Sequence, residues 1–162
     1  MRLAEGFIPE FDQEMVGVRK HLERLPEGKM DWQPHPKSMK LGALANHIAD
    51  IPAWTTMTFD RDVLDLAGFQ NPTKATRDEL LTMFDENVIA ARKVLAEVLD
   101  EIASGTWTMK LGDQVFFTIP KLDVIRIWVL NHIIHHRAQL GVCLRLLDIP
   151  VPGVYGPSAD EM

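Results

Sequence analysis

The sequence predicts an all-α protein, a bundle of four helices with a small β-hairpin between the third helix and the fourth. Apolar residues recur at steps of three and four along four long segments, which is the spacing of amphipathic helices. Connectors with proline and glycine separate these segments, and strands do not alternate with helices as they do in α/β proteins. With 162 residues, 46% of them hydrophobic, the chain is expected to fold as one domain over residues 1–162.

The first predicted helix runs from Ile8 to Leu25, because its apolar residues form an unbroken stripe and Pro26 with Gly28 then ends it. A connector with two prolines follows. Each proline pushes the residue before it into extended geometry, so no helix is expected there. His35 lies in this connector and is predicted to be an exposed loop residue.

The second predicted helix has Ser38 as its N-cap, and its inward stripe passes through His47 and reaches Trp54. Pro52 lies inside this stripe, so we expect it to kink the helix or weaken its hydrogen bonding. The stretch 59–69 fits either a loop or a continuation of the same helix. His47 is thus predicted to face the core close to an irregularity in its helix.

The third predicted helix begins at a capping box, in which Thr76 and Glu79 each accept a hydrogen bond from the other's backbone N–H. Its apolar stripe runs from Leu81 to Ile102, and Gly105 is the expected stop. No residue on that stripe is of a type that binds metal. The helix is therefore interpreted as a structural element.

Two short segments, 106–109 and 115–118, flank a turn sequence and are predicted to form the hairpin. Two strands alone are marginally stable, so the hairpin must pack on the helices. The fourth helix is predicted from about 120 to 147. Beyond it, the Pro- and Gly-rich segment 149–157 is expected to lie over the bundle as a strap, either for packing or to cover a pocket with Tyr155.

The inward stripe of the fourth helix carries two histidines. Steps of three and four from Leu122 lead to His132 and His136, and then to Cys143, which we interpret as a core residue. Side chains four residues apart on a helix lie about 6 Å from each other on one face, so both imidazoles can bind one ion. Burying a polar group without a partner costs roughly 2–7 kcal/mol, so both rings need a metal ion or hydrogen-bond partners. A pair of His132 and His135 also has a suitable spacing.

His47, on the inward stripe of another helix, completes a set of three with His132 and His136. Three imidazoles without a carboxylate favour zinc, nickel, copper or iron over magnesium or calcium. Three protein ligands leave a coordination position open, where a metal ion lowers the pKa of bound water or of a thiol. The alternative is a set of core histidines satisfied by hydrogen bonds. The remaining histidines are predicted to lie off the inward stripes: His21, His35 and His135.

Four polar residues near these histidines have candidate roles. Asp50, Asn131 and Gln139 are each placed to fix the tautomer of a neighbouring ring. Asp50 is also the candidate catalytic residue, as a general base, and the alternative is a solvated carboxylate on the helix surface. Arg137 is expected either to bind an anionic substrate or, as we favour, to pair with an acid on a neighbouring helix.

Composition narrows the classes of partner. A net charge of −6 argues against a surface built to neutralise phosphates, so no nucleic acid is expected. No apolar run approaches the roughly 20 residues that span a bilayer, so no membrane is expected either. The N-terminus lacks the pattern of a signal peptide, which predicts a cytoplasmic protein. The single cysteine excludes an intramolecular disulfide.

Three motifs give the chain a resemblance to the DinB-like (DinB/YfiT) superfamily of metalloenzymes over essentially its whole length. They are Trp32-x-Pro-x-Pro-x-Ser38 leading to Leu44-Ala45-Asn46-His47, Asn131-His132-x-x-His135-His136-Arg137-x-Gln139-Leu140, and Tyr155-Gly156-Pro157-Ser158. The resemblance implies a four-helix bundle with up-down-down-up connectivity. It also implies nickel or zinc held by His47, His132 and His136, frequent homodimers, and transfer of low-molecular-weight thiols, thiol-dependent isomerisation or metal-dependent hydrolysis.

Two hypotheses of function follow from the residues and the resemblance together. The first is an enzyme of the transferase or hydrolase type that acts on a small-molecule substrate, with a divalent metal ion on three histidines activating a thiol or water. The second is a non-catalytic, stress-associated metal-binding protein in which the ion ties two helices together.

Overall fold

The structure is a computed structural model that describes residues 2–162. Its α-helices are α1 (Ile8–Leu22), α2 (Leu41–Asp50), α3 (Ala53–Asp60), α4 (Arg77–Glu97), α5 (Asp100–Ala103), α6 (Lys121–Val124) and α7 (His132–Leu146). A π-helix (Ile125–Asn131) joins α6 to α7, and short 3-10 turns lie at Ala4–Phe7 and Glu27–Lys29. The strands are β1 (Val63–Asp65), β2 (Thr106–Leu111) and β3 (Gln114–Pro120). Within residues 2–162, every helix is too short or too polar to span a bilayer.

The predicted all-α class, a four-helix bundle with up-down-down-up connectivity, is wrong, because a three-stranded mixed sheet forms part of the fold. The predicted hairpin is present as the antiparallel pair of β2 and β3. The unpredicted strand is β1, which pairs in parallel with β2, Leu64 lying opposite Met109. A hairpin needs a further partner to be stable. Here the third strand and a small apolar cluster of Leu64, Trp107 and Val124 provide it.

Thr76 and Glu79 form the predicted capping box at the start of α4, since the side chain of each accepts a hydrogen bond from the other's backbone N–H. The predicted end of that helix is wrong, because the chain turns extended at Val98 and α5 follows as a separate turn. Ile102, the last residue of the predicted stripe, is 43% exposed. The apolar stripe, taken alone, therefore predicted a helix longer than the one that forms.

Pro52 interrupts the second predicted helix, as expected. Helix α2 ends at Asp50 and α3 begins at Ala53, because a proline has no N–H to donate to the carbonyl of the preceding turn. The predicted start is wrong, since Lys40 and not Ser38 precedes the first helical residue. The stretch 59–69 resolves into the end of α3, the strand β1 and a turn.

The fourth predicted helix is divided into α6, the π-helix and α7. The wider π turns carry Trp128 and lead directly into His132, the first residue of α7. The core continues through this segment, where Ile125, Val129 and Leu130 are buried. The apolar periodicity thus located the element but not its change of helical type.

A buried ion pair holds the C-terminal strap (149–157) against the helices. Arg137 of α7 lies 2.5 Å from a carboxylate oxygen of Glu14 on α1, and both side chains are almost fully buried. The hydroxyl of Tyr155 donates to the other Glu14 oxygen and accepts from Arg137, each at 2.8 Å. Arg137 therefore pairs with an acid on a neighbouring helix, as we favoured. Tyr155 is 67% exposed, and it holds the strap to α1 and α7 through these bonds of its hydroxyl.

Candidate metal centre

The structure brings together the three histidines that the sequence placed on inward stripes. The Nε2 atom of His132 lies 3.2 Å from Nε2 of His47 and 2.7 Å from Nε2 of His136. One ligating nitrogen from each ring lies within 4.8 Å of the other two, and within residues 2–162 no second cluster of this kind occurs. The three side chains are half-buried. The arrangement could hold one metal ion.

Two helices supply these rings. His47 lies in the last turn of α2, shortly before the interruption at Pro52. His132 begins α7 directly after the π-helix, and His136 follows one turn later. Because residues four apart project from the same side of a helix, α7 presents two imidazoles to the end of α2. Short π-helical segments are frequent at functional sites.

Hydrogen bonds at the far side of the rings determine where their protons lie. The Nδ1 atom of His132 lies 3.3 Å from the backbone carbonyl oxygen of Trp128. A carbonyl oxygen only accepts, so this nitrogen carries the proton and Nε2 of the neutral ring bears a lone pair. Nδ1 of His136 lies 2.7 Å from Oε1 of Gln139, and with the amide in this orientation the proton is assigned to Nδ1 here too. Both rings therefore turn an unprotonated Nε2 toward the centre of the cluster.

Burial keeps the rings neutral. Burial, together with the smaller effects of the nearby His136 and His132, lowers the pKa of His47 to about 4. Burial also lowers the pKa of His132 and of His136, although the hydrogen bond with Gln139 opposes the shift at His136. Two lone pairs that face each other at 2.7 Å repel unless a cation lies between them. A metal ion satisfies them without the imidazolium that burial disfavours.

The donor set fits a divalent transition-metal ion. Two nitrogens bound tetrahedrally at about 2.0–2.1 Å from zinc are about 3.3 Å apart. The separations of 3.2 Å and 2.7 Å reach that value with small movements of the rings. Three nitrogen ligands without a carboxylate suit zinc, nickel, copper or iron. They also leave at least one coordination position for another ligand.

An apolar cavity of about 280 Å³ borders His47. Three of the four tryptophans form much of its wall, and two of them contact the histidines. The ring centre of Trp54 lies 5.6 Å from that of His47 and 5.3 Å from that of His132, and Trp128 lies 6.0 Å from His132. Trp107 lies on β2, a strand of the predicted hairpin. A second cavity, of about 460 Å³, borders His136 on the side of the Pro-rich connector.

Asp50, the candidate general base, is buried and accepts a hydrogen bond from the Trp54 indole N–H at 3.0 Å. The alternative of a solvated surface carboxylate is therefore wrong. Burial raises the pKa of Asp50, which the hydrogen bond from Trp54 partly opposes. Its carboxylate borders a cavity against α4 that is separate from the one beside His47. Asp50 is linked to the histidines only through the ring of Trp54, and its role as a base stays a prediction.

The other candidates divide between the site and the rest of the fold. Gln139 contacts the His136 ring, as predicted. Asn131, in contrast, is exposed. His135 is exposed next to the cluster, and Cys143 is buried as expected. The prediction for His21 is wrong, since it is buried and its Nδ1 lies 2.8 Å from the Gly17 carbonyl oxygen. His35 is exposed as predicted.

Two features of the site escaped the sequence analysis. The carbonyl of Trp128 orients His132 from the residue four positions earlier, a backbone role for which side-chain patterns carry no signal. Trp107 and Leu64 reach the cavity through the pairing of β1 with β2, a contact between residues far apart in the sequence. Trp54, in contrast, lay on the same predicted inward stripe as His47, so its position beside that ring could have been predicted from the sequence.

The model of the DinB family matches residues 7–162 of the chain. Two solved structures share the fold. A DinB-like protein from Bacillus cereus ATCC 10987 is 21% identical, with a TM-score of 0.69 over 93% of this chain and 97% of that one. The DinB-like protein YjoA from Bacillus subtilis is 13% identical, with a TM-score of 0.66 over 90% of this chain and 95% of that one. Among curated proteins, no match to the chain is found.

Proposed function

The chain belongs to the DinB family, and from this premise we propose that it is a metal-dependent enzyme in which His47, His132 and His136 hold a divalent ion. Nickel and zinc are the ions we favour. When bound, such an ion lowers the pKa of a thiol or a water molecule in its open position. The reaction is then thiol transfer or hydrolysis of a small-molecule substrate.

One observation carries the proposal. The Nε2 atoms of His132 and His136, unprotonated in the tautomers assigned above, lie 2.7 Å apart, and His47 Nε2 lies 3.2 Å from that of His132. Hydrogen bonds to the Trp128 carbonyl and to Gln139 fix this orientation. Core histidines without a metal would more simply pair a donor with an acceptor. The convergence of acceptors supports a cation site.

The surroundings of the cluster supply the other requirements of a reaction. The cavity beside His47 has apolar walls, which exclude water and suit an apolar substrate. The cavity beside His136 includes Lys37, Ser38 and Gln139, polar groups that suit the body of a low-molecular-weight thiol. Two cavities of different character support the version with two reactants. In that version the thiol sulfur bonds to an electrophilic carbon, the leaving group takes the bonding electron pair, and the thiol proton passes to water.

A metal-dependent assay tests the proposal. Protein loaded with zinc or with nickel is incubated with a bacterial thiol and an electrophile, or with ester and amide substrates without thiol. We expect turnover that a chelator abolishes and that His47→Ala removes. His35→Ala is the matched control, because that histidine is exposed and is not part of the cluster. Loss of turnover in both variants, or turnover unaffected by chelator, would contradict the proposal.

The alternative function is non-catalytic metal binding. It is favoured by one observation, that the ligands come from α2 and α7, so a bound ion would join two helices. An ion that only ties helices contributes directly to folding free energy. Metal binding that raises the thermal midpoint strongly, without turnover on any substrate of the panels, would select this alternative.

The expected homodimer belongs to the proposal as well. Light scattering of the metal-loaded protein measures it directly. A mass equal to one chain across the accessible concentrations would remove this part of the proposal and leave the metal site untouched.

A further inference from the structure

Asn46, the residue before His47, is bonded to the segment of chain that joins β1 to α4. We propose that residues 66–74 of this segment form a cover loop over the cavity beside His47, and that Asn46 is the positioning residue that keeps the loop closed. The inference concerns access to the cavity. It therefore goes beyond the proposed function and does not require a metal ion.

The side chain of Asn46 holds the end of the cover loop by two hydrogen bonds. Its Oδ1 accepts from the Lys74 backbone N–H at 2.6 Å, and its Nδ2 donates to the Lys74 carbonyl oxygen at 3.0 Å. The same Nδ2 donates to the Gly42 carbonyl oxygen of α2 at 2.9 Å. The reverse orientation of the amide would set its oxygen against two carbonyl oxygens, so these contacts fix the assignment. Asn46 is only 8% exposed, and this burial strengthens its bonds.

The other end of the cover loop is attached to the sheet. The Leu66 N–H donates to the Lys110 carbonyl oxygen at 2.8 Å, and the Asp65 carboxylate accepts from the Ala67 N–H at 2.9 Å. Gly68 then turns the chain with a φ of 78°, a conformation that glycine adopts without strain. This end of the loop is therefore held independently of Asn46.

Between its two ends the cover loop is held weakly. In the described part of the chain, residues 70–73 make no backbone–backbone hydrogen bond, and all four are exposed. Segments with an exposed backbone and few buried contacts open at a small cost in free energy. The bonds of Asn46 to Lys74 are therefore the contact whose loss would release this part of the loop.

The cover loop forms part of the cavity wall. Leu66, Phe69 and Asn71 line the cavity beside His47. Phe69 and Asn71 are also exposed to solvent, which places them where the cavity opens. A loop that covers a binding cavity excludes water when it is closed and has to open to admit a ligand. Asn46 thus links the cover to α2, the helix that carries His47.

Quenching of tryptophan fluorescence by acrylamide, a small neutral molecule, measures access to the cavity. In the parent variant Trp32→Phe, the three remaining tryptophans all line the cavity: Trp54, Trp107 and Trp128. Asn46→Ala, added to this parent, should raise the quenching constant in metal-free and in zinc-loaded protein, while the circular dichroism remains that of folded protein. Exchange of the Lys74 amide hydrogen, followed by NMR, should become about tenfold faster, as expected for the loss of two neutral hydrogen bonds.

Asn87→Ala is the matched control. The Asn87 amide donates to the Ala49 carbonyl oxygen of α2 at 3.0 Å, so it too ties another element to α2, but it makes no bond to the cover loop. This variant should leave the quenching constant unchanged. Phe69→Ala shortens a side chain of the cover itself and leaves Asn46 in place. It should raise the quenching constant, and it tests the cover even if Asn46→Ala does not fold.

The inference is overturned if Asn46→Ala speeds the exchange at Lys74 without raising the quenching constant, because the bonds of Asn46 would then be structural only. It is also overturned if Phe69→Ala leaves the quenching constant unchanged, or if Asn87→Ala raises it as much as Asn46→Ala does. The measurement on metal-free protein involves no ion, so this inference and the metal proposal can fail separately.

Discussion

Replacing Gln139 by alanine should weaken metal binding without removing a ligand. Gln139 accepts the Nδ1–H of His136 at 2.7 Å, and loss of such a partner typically costs 10–100-fold in metal affinity. Two features of the site place the expected loss of metal affinity near the lower end of that range. His132 keeps its own bond to the Trp128 carbonyl, and Gln139 is exposed, so water can replace its oxygen. We expect a loss of about tenfold, or about 1.4 kcal/mol.

The assay is a zinc titration in competition with a chromophoric chelator. Asn131→Ala is the matched control, an exposed amide beside the same histidines that makes no bond to them, and its affinity should equal that of the wild type. Gln139→Glu should bind at least as tightly as wild type, because a carboxylate is a stronger acceptor for the Nδ1–H. Equal affinity in Gln139→Ala and wild type would refute the view that this bond orients His136 for a metal ion.

Three further predictions concern stability. Glu14→Gln breaks the buried pair with Arg137 and should lower the free energy of unfolding by about 3 kcal/mol. Glu10→Gln, at an exposed pair, is the control and should lower it by less than about 1 kcal/mol. Equal losses of the two variants in urea unfolding would contradict this. Thr76→Ala removes the capping box of α4 and should cost about 1 kcal/mol, and an unchanged urea midpoint would count against it. Metal-free protein should lose stability as pH falls from about 6.5 toward 4. In this range His47 binds a proton in the unfolded chain but stays neutral in the folded state, where its pKa is about 4. A free energy of unfolding that does not change over this window, or that changes with pH as steeply in His47→Gln as in wild type, would disprove it.

The periodicity of apolar residues located the histidines because the residues that share one face of a helix are determined by local sequence. Residues at steps of three and four share a helix face wherever that helix lies, so the inward positions of His47, His132 and His136 followed from the sequence of each segment alone. The capping box at Thr76 and the interruption at Pro52 have local physical causes too. The structure confirms these features.

The features that escaped the sequence depend on distant contacts. Strand β1 has only three residues, too few for an alternating pattern, and it exists because β2 lies beside it. The burial of His21 arises where its ring packs against the Gly17 carbonyl and near Gly141, which no stripe on its own helix shows. Helical type also escaped prediction, since the π-helix before His132 keeps the same apolar residues buried as an α-helix would.

Metal content measured by elemental mass spectrometry on untagged protein tests the metal centre most directly. Wild type is compared with His47→Ala and His136→Ala, and His35→Ala serves as the control for a lost exposed histidine. We predict about one ion per chain in wild type and in His35→Ala, and none in the other two variants while their circular dichroism remains that of folded protein. Absence of metal from wild type, even after reconstitution with zinc or nickel, would contradict the account.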